Sequence, residues 1–231
     1  MDKTAIDKPL EPQYDILLEQ HKSMGYQTLG IMSSFTWRSD PKRLLFVLAR
    51  YKFVSKMLEN EDNVLEIGCG DAWASRIVKQ QVKRLTVSDF DPIFVEEARR
   101  QYQNLKDVEF MQNDFVERPS INKFDAIYLL DVLEHVNPAD EDRLLLNVSK
   151  SLNTERGIVI IGIPSIESQQ YASKESSDGH VNCKTGEDLK KFGKKYFRYN
   201  YLFSMNDEVV HTGFIKMAHY LILVSCERLI S

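Results

Sequence analysis

The sequence contains little cysteine, little tryptophan and no long apolar run. Of its 231 residues, three are cysteine and two are tryptophan. Cys69, Cys183 and Cys226 are widely spaced and show no metal-ligand spacing, which predicts reduced thiols in a cytoplasmic protein rather than a disulfide scaffold. The longest apolar runs, such as residues 158–163, have only the length of a strand. We therefore expect no membrane-spanning segment.

Basic charge is not in excess either. The 30 Lys and Arg residues against 34 Asp and Glu residues give a formal net charge of −4. A chain with this balance has no broad positive field for nucleic acid or an anionic membrane. The segment MDKTAIDKPLEPQ is polar and lacks the character of a signal peptide. These features favour a small-molecule partner, with neither nucleic acid nor membrane, in the cytoplasm.

What the sequence does contain is an alternation of strand-like and helix-like segments. Helical patterns follow Asp40, Asp91 and Asn137, each of which precedes a proline. The strand-like runs are 64–67, 84–88, 108–111, 124–130, 157–163, 196–204 and 217–226. This alternation predicts an α/β fold with a doubly wound, seven-stranded, mostly parallel sheet and an antiparallel last strand. We expect a helical cap region over 1–60 and the main domain over 61–231.

The first predicted strand ends in a glycine-rich turn within the segment VLEIGCGDAWAS. Gly68 and Gly70 permit a tight turn and a close approach of ligand to backbone. The dinucleotide fingerprint G-x-G-x-x-G requires a third glycine where this chain has Trp73. The neighbouring acids Glu66 and Asp71 would repel a pyrophosphate but suit a ligand with an ammonium group. The turn therefore argues against a nicotinamide or flavin cofactor.

Polar residues also follow the next two predicted strands. Asp89 lies 21 residues after Gly68, the spacing at which an acid binds ribose hydroxyls. Asp91 is expected to cap the following helix instead. Phe90 is placed to cover a purine face, and the segment 113–115 (Asn-Asp-Phe) offers an acceptor and an apolar platform for adenine. An ordinary turn is the alternative for Asp89 and for the Asn-Asp pair at 113–114.

The fourth predicted strand is followed by DVLEHV at 131–136. Together with ExGxG at the first strand, the acid at the second and Asp-Phe at the third, this series resembles the class I S-adenosylmethionine-dependent methyltransferases over about residues 64–163. It is most similar to the small-molecule subgroup that includes ubiquinone- and menaquinone-biosynthesis methyltransferases. The stretches 179–182 and 204–211 also resemble a bacterial branch associated with surface-carbohydrate metabolism.

The resemblance implies a Rossmann-like methyltransferase fold, S-adenosylmethionine as the cofactor and S-adenosylhomocysteine as the product. The glycine turn would pass beneath the amino acid part of the cofactor, whose positive charge tolerates the neighbouring acids. The implied cofactor-binding residues are Glu66, Gly68, Cys69, Gly70, Asp89, Phe90, Asp114, Phe115, Asp131 and Val132.

A hydroxyl acceptor needs a base to remove its proton, whereas an amine needs only to arrive neutral. His135 is the best-placed candidate, because its ordinary pKa lies near neutrality. The alternative is that His135 lines the pocket without a proton role. His180 and His211 are further catalytic candidates on loops expected at the same edge of the sheet. Candidate substrate-binding residues are Arg38, Asn182, Asn206 and Asp207, each of which is otherwise a surface residue.

Polar side chains dominate the loops expected over the methyl group, including the turn-prone segment 164–183. A quinone would require an apolar trough, so we expect a small polar acceptor, first of all a carbohydrate-type hydroxyl. The alternatives are N-methylation of a small phosphorylated amine, quinone-type O-methylation, and a non-catalytic cofactor-binding protein. We expect no metal, because the fifth strand ends in Ile163-Pro164-Ser165 rather than in the acidic or amide ligands of metal-dependent methyltransferases.

Overall fold

A computed structural model describes residues 9–102, 105–154 and 156–229. The helices are α1 (Asp15–Met24), α2 (Ile31–Ser39), α3 (Lys42–Met57), α4 (Ser75–Lys79), α5 (Pro92–Gln101), α6 (Glu141–Lys150), α7 (Lys174–Gly179) and α8 (Gly186–Lys194). The strands are β1 (Asn63–Ile67), β2 (Arg84–Asp89), β3 (Val108–Gln112), β4 (Ala126–Leu130), β5 (Ile158–Pro164), β6 (Phe197–Asn206), β7 (Val209–His211) and β8 (Tyr220–Arg228). Residues 1–8 of the polar N-terminal segment lie outside the described part.

The eight strands form one sheet in the order β3-β2-β1-β4-β5-β8-β6-β7. Strands β1 to β5 pair in parallel, and β8 runs antiparallel between β5 and β6. The prediction of a doubly wound, mostly parallel sheet with an antiparallel last strand is confirmed. The count differs by one, because β7 adds an eighth strand beside β6. With three residues, β7 is too short to produce an alternating pattern in the sequence.

The central strands are covered on both faces, which explains their continuous apolar sequence. All five residues of β4 are buried, and alternate side chains contribute to two hydrophobic clusters. Tyr51, Val54 and Leu58 of the α3 region pack into one cluster. Residues of α6 and α8 pack into the other. Among the described residues, no helix is long and apolar enough to cross a membrane.

Local capping accounts for only some of the helix starts. Asp91 accepts a hydrogen bond from Ile93 N at 2.8 Å and caps α5, as the Asp-Pro signal predicts. The Asn137-Pro138 signal instead forms a turn, in which Asn137 Oδ1 accepts from Ala139 N at 2.9 Å, and α6 begins only at Glu141.

The segment 164–183 is ordered by hydrogen bonds to two other parts of the chain. It contains a short 3-10 helix (Ile166–Tyr171) and α7. Ser165 Oγ donates to Ala218 O at 2.6 Å. At the other end, Val181 N and Asn182 N both donate to Glu134 O, at 2.8 and 3.0 Å. These contacts hold the segment beside the residues that follow β4.

Candidate functional site

A cavity of about 640 Å³ opens at the carboxyl ends of β1 to β4. Strands β1 and β4 are neighbours in the sheet but not in the sequence, and open α/β sheets bind their ligands at such a reversal of strand order. The volume falls within the usual range of small-molecule sites. The predicted site residues that line the cavity are Gly68, Gly70, Asp89, Phe90, Asp114, Phe115, Asp131, Val132 and His135.

The two glycines of the turn are required by both backbone conformation and space. Gly68 has φ 72° and Gly70 has φ 53°, in the left-handed region that favours glycine. A Cβ atom on Gly68 would lie 2.3 Å from Val132 Cγ2. A Cβ atom on Gly70 would lie 2.7 Å from the sulfur of Met32, a residue of α2. The turn therefore passes closely between the cavity wall and α2.

Asp89 joins the end of β2 to the glycine turn. Its carboxylate accepts hydrogen bonds from Gly70 N at 3.1 Å and from Asp91 N at 3.0 Å. Burial raises the pKa of this carboxyl, and the backbone N–H groups oppose that rise. A carboxylate has about four lone-pair sites, so two remain for a ligand. The geometry is compatible with ribose binding, which stays a prediction.

The far wall of the cavity comes from the ends of β2 and β3. The Phe90 side chain is 69% exposed, whereas Phe115 is 2% exposed and packs in the core behind the cavity. Asp114 Oδ1 accepts from Val116 N at 2.8 Å. Asn113 Oδ1 accepts from Arg118 Nε at 3.0 Å, so this amide oxygen already has a partner. Phe90 is therefore the more accessible of the two aromatic rings.

Glu66 lies beneath the glycine turn and does not line the cavity. Its side chain is almost fully buried and accepts hydrogen bonds from Tyr51 Oη at 2.6 Å and Tyr128 Oη at 2.8 Å. Burial raises the pKa of this carboxyl to about 7, and the two hydroxyl donors only partly oppose the rise. The expectation that Glu66 contacts the cofactor needs correction, because its carboxylate is engaged inside the protein.

Cys69 also points away from the cavity. It is buried, its Sγ lies 3.5 Å from Gly70 O, and burial raises the pKa of the thiol far above its usual range. Its backbone N–H donates to Ser88 O at 2.9 Å. Cys69 thus shapes the turn without lining the cavity, contrary to a direct side-chain role in cofactor binding.

Asp71 binds α2 instead of presenting its charge to a ligand. Its Oδ2 accepts from Ser33 N at 2.7 Å, and its Oδ1 accepts from Ser33 Oγ and Trp73 N, each at 3.2 Å. Both oxygens of Asp71 are therefore engaged within the protein, and this residue does not line the cavity. Its contact with the first turn of α2 brings Met32 to the cavity. No local sequence signal marks this pair, because 38 positions separate Asp71 from Ser33.

Asp131 follows β4 in a left-handed conformation with φ 56°. Its Oδ2 lies 2.6 Å from Nη1 of Arg50, a residue of α3 that sequence patterns did not single out. The Arg50 guanidinium carbon also lies 3.7 Å from the centre of the Tyr220 ring. Arg50 therefore offsets the charge of Asp131 at the cavity wall.

The 3-10 helix after β4 (Leu133–His135) brings together a carboxyl group and two imidazoles. Glu134 is fully buried, and burial together with the negative charge of Asp131 raises its pKa well above the usual range. The ring of His135 lies 5.2 Å from that of His180, measured between centroids. Burial first, and then the nearby His135, lower the pKa of His180. Two of the three predicted catalytic histidines are therefore neighbours.

His211, Asn206 and Asp207 lie apart from these groups, contrary to the expected convergence. They belong to the β6–β7 hairpin, and the spacing of about 4.8 Å between strands puts β6 roughly 14 Å and β7 roughly 19 Å from β4. His211 Nε2 donates to Asn206 Oδ1 at 2.7 Å, while its Nδ1 accepts from Gly213 N at 3.0 Å. The insertion of β5 and β8 between β4 and this hairpin explains the separation.

The remaining two predicted substrate residues do not line the cavity either. Asn182 is buried, donates to Glu141 Oε2 at 2.8 Å and accepts from Lys184 Nζ at 3.1 Å. Arg38 is exposed in the last turn of α2. Asn182 therefore links the segment after α7 to Glu141 of α6, and Arg38 is a surface residue in the described structure.

Several cavity-lining residues were not predicted from the sequence. Most are apolar, and the others lie close to turns or helix starts. Such residues are common throughout a globular protein, so no motif distinguishes them. They are Met32, Ile67, Phe94, Val116, Glu117, Val136, Asn137, Asp140 and Leu144.

Comparison with known proteins agrees with this geometry. Residues 64–155 match the family model described as a methyltransferase domain. No curated protein matches the chain. The N-methyltransferase NodS from Bradyrhizobium japonicum WM9, crystallised with S-adenosyl-l-homocysteine, is 17% identical with a TM-score of 0.61, over 84% of this chain and 92% of that one.

Two further solved structures have the same fold. The DhpI–SAM–HEP complex is 17% identical with a TM-score of 0.61, over 90% of this chain and 96% of that one. The CurJ carbon methyltransferase is 14% identical with a TM-score of 0.60, over 83% of this chain and 60% of that one. The methyltransferase prediction and its cofactor are confirmed, whereas the subgroup and the acceptor are not. Residues 64–155 therefore form a methyltransferase domain, and NodS and DhpI, which share its fold, were crystallised with S-adenosyl-l-homocysteine and SAM respectively.

Proposed function

We propose that the protein transfers the methyl group of S-adenosylmethionine to a hydroxyl of a small polar acceptor, of carbohydrate type. The observation that supports this proposal is the position of His135, which lines the cofactor cavity and also faces His180 of the segment 164–183. The cavity would hold the cofactor, and the acceptor would enter from the side of these two imidazoles.

The cofactor would lie across the strand ends in the order of the motifs. Its amino acid part would pass over Gly68 and Gly70, whose missing side chains leave the backbone accessible. The ribose would hydrogen bond to Asp89, and the exposed ring of Phe90 would cover one face of the adenine. Asp131, paired with Arg50, would complete the wall near the methyl-bearing end.

The reaction is an in-line displacement at the methyl carbon. A lone pair of the acceptor oxygen forms the new C–O bond while the C–S bond breaks, and its electron pair returns to sulfur to give neutral S-adenosylhomocysteine. The hydroxyl proton would pass to Nε2 of His135, whose Nδ1 donates to Gly179 O at 2.9 Å and therefore carries the other proton. Alignment of the two reactants supplies much of the rate.

The same fold serves different acceptor atoms, so the fold alone does not select one. NodS is described as an N-methyltransferase and CurJ as a carbon methyltransferase. N-methylation of a small phosphorylated amine is therefore the first alternative, and quinone-type O-methylation is the second. The polar surroundings of His180, whose Nδ1 lies 2.8 Å from Gln169 Oε1, favour a polar acceptor over a quinone.

We also propose that the helices before residue 60 act as a cap over the cofactor. Support comes from Met32 of α2, which lines the cavity beside Gly70. Because α2 is joined to the glycine turn through Asp71, cap and turn would order together on cofactor binding.

A methyl-donor assay tests the proposed function. Labelled S-adenosylmethionine is incubated with pooled sugar nucleotides, phosphorylated amines and quinone precursors, and binding of S-adenosylhomocysteine is measured by calorimetry. We expect cofactor binding and turnover with the sugar-nucleotide pool. Turnover with the quinone pool alone would contradict the polar acceptor. Cofactor binding without turnover in any pool would favour the non-catalytic alternative.

A further inference from the structure

Glu134 is a buried carboxyl group that the proposed methyl transfer does not use. Its side chain is fully buried, and neither of its oxygens has a hydrogen-bond partner among the described residues. Burying an unpaired carboxylate costs several kcal/mol, roughly, so such a group persists as a neutral acid or beside a cation. Arg50, whose positive charge acts on Glu134, is already paired with Asp131.

Two imidazoles lie beside this carboxyl group. A carboxylate oxygen of Glu134 and one ring nitrogen each from His135 and His180 all lie within 4.8 Å of one another. A metal ion held at about 2.0–2.2 Å by each ligand would require these atoms to approach by roughly 1 Å. The segment 164–183 supplies His180, so a small shift of this segment would be sufficient.

Hydrogen bonds at Nδ1 leave Nε2 of both imidazoles available to a metal ion. His135 Nδ1 lies 2.9 Å from Gly179 O, and His180 Nδ1 lies 2.8 Å from Gln169 Oε1. Because these oxygens can only accept, each Nδ1 carries the proton and each Nε2 keeps a free lone pair. The Gln169 orientation is set by its amide nitrogen, which donates to Ser165 O at 3.2 Å. Metal-binding histidines characteristically donate their second N–H to such an oxygen.

We propose that Glu134, His135 and His180 bind a divalent transition-metal ion at the edge of the cavity. Two imidazoles and one carboxylate favour zinc, iron, cobalt or manganese over magnesium and calcium, which prefer oxygen ligands. The sequence predicts no metal because the end of β5 lacks ligands. In the structure, the three candidate ligands come from the 3-10 helix after β4 and from the segment 164–183.

The role of the ion in catalysis rests on the proposed function. Three protein ligands leave coordination positions open for an acceptor hydroxyl, and coordination lowers the pKa of that hydroxyl. In the metal-loaded protein His135 uses its lone pair for the ion, so the hydroxyl proton leaves to solvent water. His135 cannot act as a general base and as a metal ligand at the same time. The methyl-transfer rates of metal-free and metal-loaded protein distinguish the two roles.

A cobalt titration tests the site directly. The full-length protein is stripped with a chelator, dialysed and titrated with Co²⁺, while the visible absorption of the bound ion is recorded. We expect one Co²⁺ per chain, displaced by Zn²⁺, and at least tenfold weaker binding in Glu134→Gln, His135→Gln and His180→Gln. His21→Gln is the matched control, because it removes an imidazole from α1, and it should bind Co²⁺ normally.

Gln169→Leu distinguishes a metal site from a structural cluster. It removes the acceptor that orients His180 but leaves all three ligands in place, so Co²⁺ binding should weaken 10–100-fold, roughly. Binding of S-adenosylhomocysteine to the stripped variants reports whether each is folded. Absence of saturable Co²⁺ absorption in the parent protein, or unchanged absorption in all three ligand variants, would overturn the site.

The site and the proposed function fail in different ways. Saturable Co²⁺ binding without methyl transfer in any acceptor pool would overturn the function and support the site. A full methyl-transfer rate in the stripped protein would support the function and overturn the catalytic role of the ion. A rate that returns on addition of Mn²⁺ or Zn²⁺ would support both.

Discussion

The carboxylate of Asp71 accepts a hydrogen bond from the backbone N–H of Ser33, 2.7 Å away. Ser33 lies in the first turn of α2, whose own N-cap residue is Gly30, which has no side chain. Asp71 therefore provides the capping acceptor from a distant part of the chain. This contact joins the glycine turn to the helix that carries Met32 to the cavity.

Replacement of Asp71 should loosen α2. Asp71→Ala should lower the free energy of unfolding by about 1 kcal/mol, as for other lost caps. It should also weaken S-adenosylhomocysteine binding and increase proteolysis within residues 25–40, since Met32 would no longer be held at the cavity. Chemical denaturation, calorimetry and limited proteolysis measure the three effects. Asp40→Ala is the control, because Asp40 precedes α3 without capping it; equal effects in both variants would contradict the prediction.

Asp89 and Asp91 should act on different properties, although they are two positions apart. Asp89→Asn should weaken S-adenosylhomocysteine binding by roughly 1–3 kcal/mol, the scale of hydrogen bonds to charged groups. Asp91→Ala should leave affinity unchanged and lower the free energy of unfolding by about 1 kcal/mol, because it removes the cap of α5. Calorimetry and denaturant unfolding of both variants check this assignment. Exchanged phenotypes would show that the ribose assignment is wrong.

Glu66 should make stability depend on pH. The folded state raises its pKa from 4.5 to about 7, so folded protein holds a proton between these values that unfolded chains have lost. Its stabilising contribution is therefore complete below about pH 4.5 and is lost as pH rises through about 7. In Glu66→Gln this pH-dependent loss of unfolding free energy should be absent. Its size in the parent protein is about 3 kcal/mol, which corresponds to the shift in the pKa of Glu66.

The measurement is denaturant unfolding of parent and Glu66→Gln at intervals between pH 5 and 8. Glu109→Gln provides the control, since it removes an exposed carboxylate from β3. A parent profile that runs parallel to that of Glu66→Gln would argue against a strongly raised pKa.

His135→Ala should reduce turnover much more than cofactor affinity. Loss of either a base or a metal ligand removes activation of the acceptor hydroxyl, and removal of a general base typically costs roughly 10²–10⁴ in rate. The affinity for S-adenosylhomocysteine should change less than about threefold, because this corresponds to no more than the free energy of one weak hydrogen bond. Steady-state kinetics and calorimetry provide the two numbers. Undiminished methylation of an amine by His135→Ala would leave fold and cofactor intact but remove this role.

His211→Ala should act through stability and not through cofactor affinity. Both ring nitrogens of His211 are engaged within the β6–β7 hairpin and the loop after it, through Asn206 and Gly213. We expect a loss of about 1 kcal/mol in the free energy of unfolding, as for a lost side-chain hydrogen bond. Denaturant unfolding measures this loss. A specific loss of turnover with unchanged stability would instead restore His211 as a catalytic candidate.

Features that depend on adjacent residues were accessible from the sequence. Apolar runs of strand length, the glycine pair at 68 and 70 and the Asp-Pro cap at 91 each act through neighbours along the chain. Local sterics and hydrogen bonds decide such features. The succession of strands along the chain, the glycine turn and the start of α5 therefore follow from the sequence pattern alone.

Pairs that join distant segments were decided only by the tertiary structure. Arg50 reaches Asp131 across 81 positions, and His135 reaches Gly179 across 44. Periodicity indicates the type of an element but not its neighbours in the sheet. Because β8 inserts between β5 and β6, the hairpin that carries His211 moves away from β4, while the segment 164–183 stays beside it and brings His180 to His135.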